Sequence, residues 1–435
     1  MRREHMGYWD IPWDIMRIPN DAKSMKPLLR ALFCFALIAL SACSAPGTKP
    51  STKTYAPLIL ISIDGFRADY FDRGLTPTLQ ALAADGVHAK AMRPSFPSLT
   101  FPNHYTLVTG LYPDHHGMVG NSMWDPELGK FSLSNKEAGS DRRWWDGGEP
   151  IWVTAQKQGL RTATMFWPGS EAEIHGYRPD FHKAYDGKIT PDQRVDQILA
   201  WMDLPAGEHP QFVTLYLDQV DHQGHDHGPD SAEVAQALRD ADAAIARLVE
   251  ELKKRNLYKS ANIVVVSDHG MAATTEKQSV VLDRLVDLRD VDIVSLGVVG
   301  GVNPKAGHTA AAEQSLLSPH EHVNCWRKNE VPARLHYGTH PRVPAIVCVA
   351  DDGWKIETQA MLDRPHHIEG GEHGYDNADP NMRALFIAHG PAFKSGLSVA
   401  EFDNIHVYAL LARLLGIKPE ANDGDAAVTA PMLRH

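Results

Sequence analysis

Asp268 and His269 stand side by side at the end of the apolar run Asn262–Ser267. Asp221 and His225 lie four residues apart within Leu217–His225, and His373 follows Glu372 in a short polar loop beside Gly370 and Gly371. Carboxylate oxygens and imidazole nitrogens are the donors that zinc takes in hydrolytic sites. These signals differ in weight. The chain carries 23 His in 435 residues, so a His four places after an Asp is weak by itself, and His373 alone fits an ordinary loop histidine equally well. Adjacent ligands where a buried strand ends are the stronger sign. A candidate nucleophile, Thr100, lies in Pro97-Ser98-Leu99-Thr100-Phe101-Pro102-Asn103-His104. A Thr shortly before a Pro marks a helix start, so a plain capping role is the alternative. The two roles are compatible, because free N–H groups at a helix start favour an anion. An unaided hydroxyl is a poor nucleophile, and coordination to a metal would lower its pKa.

Residues this far apart need a scaffold that gathers them. Short, continuously apolar runs occur at Leu58–Ile63, Phe212–Leu217, Asn262–Ser267, Ala345–Ala350 and Ala384–Ala388. Such runs predict strands buried on both faces, as in a parallel or mixed sheet covered by helices. Between them, Glu233–Lys254 repeats apolar residues at helical spacing, and Gln193–Met202 does so over a shorter span. Strand alternating with helix is the α/β class. Asp64 ends the first run, Asp218 and Asp221 follow the second, and Asp268 and His269 end the third. Ligands of open α/β sheets bind beyond the carboxyl ends of the strands, so three strands are expected to deliver these side chains to one edge. The stretch from about Val280 to Arg342 has weaker strand signals and is expected to be an elaboration packed on the main domain.

Ile63-Asp64-Gly65-Phe66-Arg67, Thr100-Phe101-Pro102-Asn103-His104, Thr109-Gly110-Leu111-Tyr112-Pro113, Phe166-Trp167-Pro168-Gly169, Asp268-His269-Gly270-Met271 and Glu372-His373-Gly374-Tyr375 occur in this order. Together they resemble the nucleotide pyrophosphatase/phosphodiesterase family of the alkaline phosphatase superfamily, from about Pro57 to about Leu415. The resemblance implies an alkaline-phosphatase-like, mixed but largely parallel central sheet flanked by helices, and two zinc ions per chain. One zinc would be held by Asp64, Asp268 and His269, with Thr100 at the open position; the other would be held by Asp221, His225 and His373. Asn121 matches the family residue that donates to a phosphate oxygen. Thr100 would attack a phosphodiester and form a covalent nucleotidyl-threonine. Phe101 and Tyr185 match the family's two aromatic walls, and a base between two rings gains about 1–3 kcal/mol whatever its identity. The ligand motifs at 217–225, 268–271 and 372–375 carry no Lys or Arg, which favours a diester over a dianionic monoester. The expected function is release of nucleoside 5′-monophosphates from nucleotide diesters or pyrophosphates. Alternatives are a lysophospholipid or choline phosphodiesterase, a phosphomonoesterase on the same site, and a non-catalytic binding lipoprotein. His104, His115, His116, His222, His227, His366 and His367 are expected in supporting, loop or surface roles.

The net charge of −11 disfavours a nucleic-acid-binding surface, which needs clustered Lys and Arg, and no stable nucleic-acid binding is expected. Lys26 and Arg30 precede an uncharged apolar run, Ala31–Leu40, that meets Ser41-Ala42-Cys43. This is a secretory signal, and Leu40-Ser41-Ala42-Cys43 resembles the bacterial lipobox, in which the Cys is lipidated. Ser44 after that Cys points to the outer membrane. Residues 1–24 then precede a normal signal start at Met25, as if translation began there. The expected organisation is 1–24 as an upstream mis-start, 25–42 as signal, 43–57 as a lipid-anchored tether, 58–418 as catalytic domain and 419–435 as a C-terminal tail. Contact with a membrane would be through the lipid on Cys43 alone, at the periplasm or cell surface. Cys325 and Cys348 are a candidate disulfide in that oxidising setting, with two buried thiols as the alternative.

Overall fold

The computed structural model describes residues 55–275, 277–364 and 369–434. The signal, Cys43, the start of the tether, His366 and His367 lie outside the described residues. Eight strands form the main sheet. Six of them precede the elaboration: β1 (Leu58–Ile63), β2 (Val87–Ala89), β3 (Thr162–Met165), β4 (Phe181–His182), β5 (Phe212–Leu217) and β6 (Asn262–Val266). The elaboration adds β7 (Val291–Ser295), β8 (Val299–Pro304), β9 (Val323–Arg327) and β10 (Ile346–Ala350), and the main sheet closes with β11 (Phe386–His389) and β12 (Leu397–Val399). The main sheet runs β12-β2-β11-β6-β1-β5-β3-β4. Its centre is parallel, β1 lying between β5 and β6, while β11 pairs antiparallel with β6 and with β2. Ile63 pairs with Leu217 and Ser62 with Val266. Asp64, Asp218 and the Ser267–Asp268 step therefore leave the sheet at one edge.

All six residues of β1 are buried, and they divide by pleat. Leu58 and Leu60 join one core cluster, while Ile59, Ile61 and Ile63 join another on the opposite face. The helices divide in the same way. Introduced in chain order they are α1 (Pro77–Ala84), α2 (Thr100–Thr109), α3 (Ile151–Lys157), α4 (Pro191–Met202), α5 (Gln219–His227), α6 (Ala232–Lys254) and α7 (Val407–Leu415). α2, α3 and α7 supply Tyr105, Trp152 and Leu411 to the first cluster; α1, α4 and α6 supply Leu79, Ile198 and Leu248 to the second. Each fully buried large side chain contributes about 1.5–3 kcal/mol, so a strand buried on both faces requires the helical cover that the apolar runs predict. α6 begins where Ser231 accepts from the N–H of Val234. Asp242, buried in the apolar stripe of α6, accepts from the N–H groups of Thr78 and Leu79 and so caps the start of α1 from another helix.

The elaboration is a second sheet, ordered β7-β8-β10-β9 with every pair antiparallel. The run Ala345–Ala350, read from sequence with the buried strands of the main sheet, belongs here instead. Its burial on two sides has another source: Val347 and Val349 pack into the first core cluster, and Ile346, Cys348 and Ala350 into a third cluster of the elaboration. Cys325 and Cys348 pair directly across β9 and β10 and are joined as a disulfide. Tyr55 already packs on the body, its hydroxyl donating to the Pro210 carbonyl. Residues 419–435, expected as a tail, include Met432 and Leu433 buried in the first cluster. No helix among the described residues is long and apolar enough to cross a membrane.

Asp114 ties the segment after β9 to the main body. Its carboxylate accepts from the N–H groups of Gly338, Thr339 and His340 and from the Thr339 hydroxyl. Burial alone would raise its pKa, but these donors outweigh burial and hold it below the usual carboxylate value. A lowered folded pKa contributes stability that is present above the unfolded value near 3.8 and is lost as pH falls through the folded value. Asp114→Ala is expected to cost about 2–3 kcal/mol or more in urea unfolding at neutral pH, because several buried donors lose their acceptor. The gap between variant and unaltered chain should narrow on acidification below pH ~4.

Candidate active site

The polar edge of β1, β5 and β6 carries the carboxylates, and α5 together with the strand Glu369–Glu372 brings the remaining histidines. Asp221 and His225 share one face of α5 at helical spacing. Glu369–Glu372 packs its backbone directly on α5: a Cβ at Gly371 would lie 2.6 Å from the Gly224 carbonyl, and one at Gly370 would lie 2.4 Å from that of His225. That closeness explains the Gly-Gly pair and carries His373 to the cluster. Asp221, His225 and His373 offer ligand atoms within 4.8 Å of one another, as do Asp64, Asp221 and His269 and, separately, Asp64, His104 and Asp268.

Orientation within the cluster is set by the backbone. Nδ1 of His225 lies 2.8 Å from the Gly371 carbonyl, that of His269 lies 2.9 Å from the Gly270 carbonyl, and that of His373 lies 2.9 Å from the Ser98 carbonyl. A carbonyl can only accept, so each Nδ1 donates and each Nε2 turns its lone pair inward. His269 Nε2 is 2.9 Å from Asp268 Oδ2 and 3.4 Å from Asp64 Oδ1; His225 Nε2 is 3.5 Å from Asp221 Oδ2. Asp64 Oδ1, Asp221 Oδ1 and Asp268 Oδ2 are buried oxygens without a hydrogen-bond donor. Uncompensated buried oxygens at one point, opposite inward-facing imidazole lone pairs, fit divalent cations. His104, buried and 3.3 Å from Asp268, is different in kind. Its Nδ1 lies 2.9 Å from the Thr100 carbonyl and its Nε2 2.8 Å from Ser62 Oγ. Both ring nitrogens are therefore committed, and His104 braces Asp268.

The charges are strongly unequal. Burial, then the carboxylates of Asp268 and Asp221, push Asp64 well above the usual range. Burial would do the same to Asp268, but His269 and His104 outweigh it and hold Asp268 well below. Burial, reinforced by His269, takes His373 down to about 3, which keeps it neutral and fit to ligate.

Thr100 is the first residue of α2. Leu99 is the cap residue and makes no capping bond with its side chain. The Thr100 hydroxyl instead stands 3.3 Å from His269 Nε2. The approach to it is rigid. Asn103, fully buried, donates to the carbonyls of Pro97 and Leu99 and accepts from the Ser95 N–H, and Ser98 donates to the Tyr375 carbonyl. Asn121 accepts from the N–H of Phe101 through Oδ1 at 3.0 Å, which leaves its amide group to donate.

Beside Thr100 opens a cavity of about 420 Å³ lined by Phe101, Asn121 and Tyr185. Phe101 packs against Phe131 and Trp145, and Tyr185 against Phe166 and Tyr216. Sequence reasoning missed how these walls are held. Tyr216 donates to Asp64 at 2.5 Å. Tyr185 donates to Asp218, which is paired at 2.8 Å with the fully buried Arg194. Asp218 was visible as a strand-end carboxylate, but it holds an aromatic wall and not a metal position. Arg194 gave no signal, since a charged residue on a helix is ordinarily solvated. Among the other histidines, His222 is largely exposed, and His115 pairs with Asp423 away from the cluster.

Residues 58–376 match the type I phosphodiesterase / nucleotide pyrophosphatase family. The chain belongs to this family, a class of hydrolases acting on phosphodiester bonds. An uncharacterized pyrophosphatase/phosphodiesterase of Schizosaccharomyces pombe is 40% identical over 418 residues, covering 93% of this chain and 86% of its own. Ectonucleotide pyrophosphatase/phosphodiesterase family member 3 of Bos taurus is 41% identical over 386 residues, and this chain spans only 43% of its length. The solved structure of murine ectonucleotide pyrophosphatase/phosphodiesterase 5 matches with a TM-score of 0.83 at 33% identity, covering 87% of this chain and all of that one. An inactive threonine-to-alanine variant of the murine protein, in complex with AMP, matches equally well.

Arg194→Met is expected to destabilise the chain by about 3–5 kcal/mol, because it strands the buried Asp218 carboxylate without its partner. Chemical denaturation of the two proteins side by side measures this directly.

Proposed function

We propose that this chain is a two-zinc phosphodiesterase that releases nucleoside 5′-monophosphates from nucleotide diesters or pyrophosphates, with Thr100 as nucleophile. The observation that carries the reading is the Thr100 hydroxyl at the start of α2, 3.3 Å from His269 Nε2 and beside the aromatic cavity. Asp64, Asp268 and His269 would hold one zinc beside Thr100, and Asp221, His225 and His373 the other. Bound zinc lowers the pKa of a coordinated hydroxyl and offsets charge on phosphate oxygens. Thr100 then bonds to phosphorus as the bond to the leaving oxygen breaks, and hydrolysis of the threonine ester completes the cycle. The Asn121 amide donates to a phosphate oxygen. Phe101 and Tyr185 would enclose the base; a nucleoside monophosphate, AMP, is bound in the complex of the murine relative. The sequence signal at 25–42, the proposed lipid on Cys43 and the disulfide support export to the periplasm or cell surface, with anchoring at the outer membrane.

The test is metal content alongside hydrolysis of the p-nitrophenyl ester of thymidine 5′-monophosphate and of p-nitrophenyl phosphate. About two zinc per chain and clear preference for the diester are expected. Preference for the monoester would move the chain to the phosphatase reading. Thr100→Ala should lower diester kcat by about 10³-fold or more while zinc content stays near normal. Substantial residual turnover would overturn Thr100 as nucleophile.

A further inference from the structure

A second cavity, of about 250 Å³, opens onto the same cluster. His225, His373 and Asn121 line both cavities, whereas Phe101 and Tyr185 line only the first. Of the proposed ligands, His225 and His373 line both cavities, whereas Asp64, Thr100 and Asp221 line only the first. A phosphodiester has two arms, and the two chambers share Asn121, His225 and His373, residues of the proposed site. With the base arm against Phe101 and Tyr185, the second chamber is left for the other arm.

The walls of this chamber come from separate parts of the fold. Pro97 and Leu99 belong to the segment ahead of α2, and Leu296 and Val298 to the turn joining β7 and β8 in the elaboration. Its charged lining residues, apart from the histidines, are Glu372 and Arg342. Arg342 is already committed: Nε donates to Asp125, Nη1 to the carbonyls of Gly117 and Trp144, and Nη2 to that of Arg143. Its guanidinium also lies over the Trp144 ring. Glu372 offers no positive charge in either protonation state. The chamber thus presents mixed walls, Pro97, Leu99, Leu296 and Val298 beside the uncharged Asn121, Ser122 and Ser295, together with a carboxyl group; its one guanidinium is paired with Asp125 and held by main-chain carbonyls.

We infer that this chamber takes the departing arm and selects one without net negative charge, a nucleoside or other alcohol in preference to pyrophosphate. The inference rests on the Thr100 phosphodiesterase reading above. As Thr100 Oγ1 bonds to phosphorus, the P–O bond to the arm breaks. The arm leaves with that electron pair and takes up the equivalent of the proton that Thr100 releases, so an alcohol departs.

Four substrates test this on the full chain: the p-nitrophenyl and methyl esters of thymidine 5′-monophosphate, a dinucleoside monophosphate and ATP. The unaltered chain should show higher kcat/KM for the dinucleoside monophosphate than for ATP. Leu296 is half-buried at a turn, so two substitutions there are practicable. Leu296→Lys is expected to raise the ATP-to-dinucleoside ratio of kcat/KM by about tenfold or more, because an added ammonium attracts a polyphosphate arm and not a neutral one. Leu296→Trp fills the chamber without charge. It should lower dinucleoside kcat/KM by about tenfold while changing that of the methyl ester of thymidine 5′-monophosphate by about twofold or less. Preference of the unaltered chain for ATP, or both ratios unmoved in the variants, overturns the inference while leaving the nucleophile in place. Failure of the unaltered, zinc-loaded chain to cleave the p-nitrophenyl ester overturns the phosphodiesterase reading itself.

Discussion

Asp64 and Asp268, both buried, and the half-buried Asp221 share a few ångströms of space because adjacent parallel strands end in register, β5 leading directly into α5, which carries Asp221. A carboxylate removed from water is costly unless a donor or cation compensates it, and each neighbour of like charge adds to that cost. Asp64 shows the conflict most plainly, with burial and two other carboxylates all acting against its ionised form. Most of the local architecture makes sense as an answer to this crowding. His104 braces Asp268, Tyr216 donates to Asp64, and three imidazoles turn Nε2 to the same point, where a divalent cation would offset the carboxylates. The sheet register creates the problem and the site in one step.

The central strands were legible in the sequence because burial on both faces leaves no alternation to obscure. Leu58–Ile63 and Phe212–Leu217 are found with the boundaries that their apolar runs gave. The same signal grouped Ala345–Ala350 with the main sheet, whereas its strand Ile346–Ala350 lies in the second. An all-apolar run reports that both faces are covered, not what covers them. The residues proposed as ligands were legible for another reason: they cluster at strand ends and in recognisable motifs. What stayed hidden was the support. Arg194 and Asp218 meet across a helix and a strand, and Asn103 gathers the segment before Thr100. Such contacts depend on tertiary geometry, and no local periodicity announces them.

The elaboration stands in a different relation to the chemistry. It has its own core, its own disulfide and no residue in the ligand cluster, yet its β7–β8 turn reaches the edge of the cavity beside His225 and His373. Asp114 holds part of the connecting chain through main-chain donors. The elaboration thus contributes wall to a cavity at the cluster while the candidate ligands belong to the main body.

The three imidazoles owe their orientation to carbonyls of Gly270, Gly371 and Ser98. Those acceptors are main-chain atoms, so replacing the side chain at any of the three positions does not delete the acceptor. Aim is thereby insulated from drift in the sequence around it, as long as the backbone path is kept. A homologue can exchange much of its surface and still present the same lone pairs. The vulnerable positions are those that shape that path, such as the Gly370–Gly371 pair pressed against α5, where any added carbon would shift the frame itself.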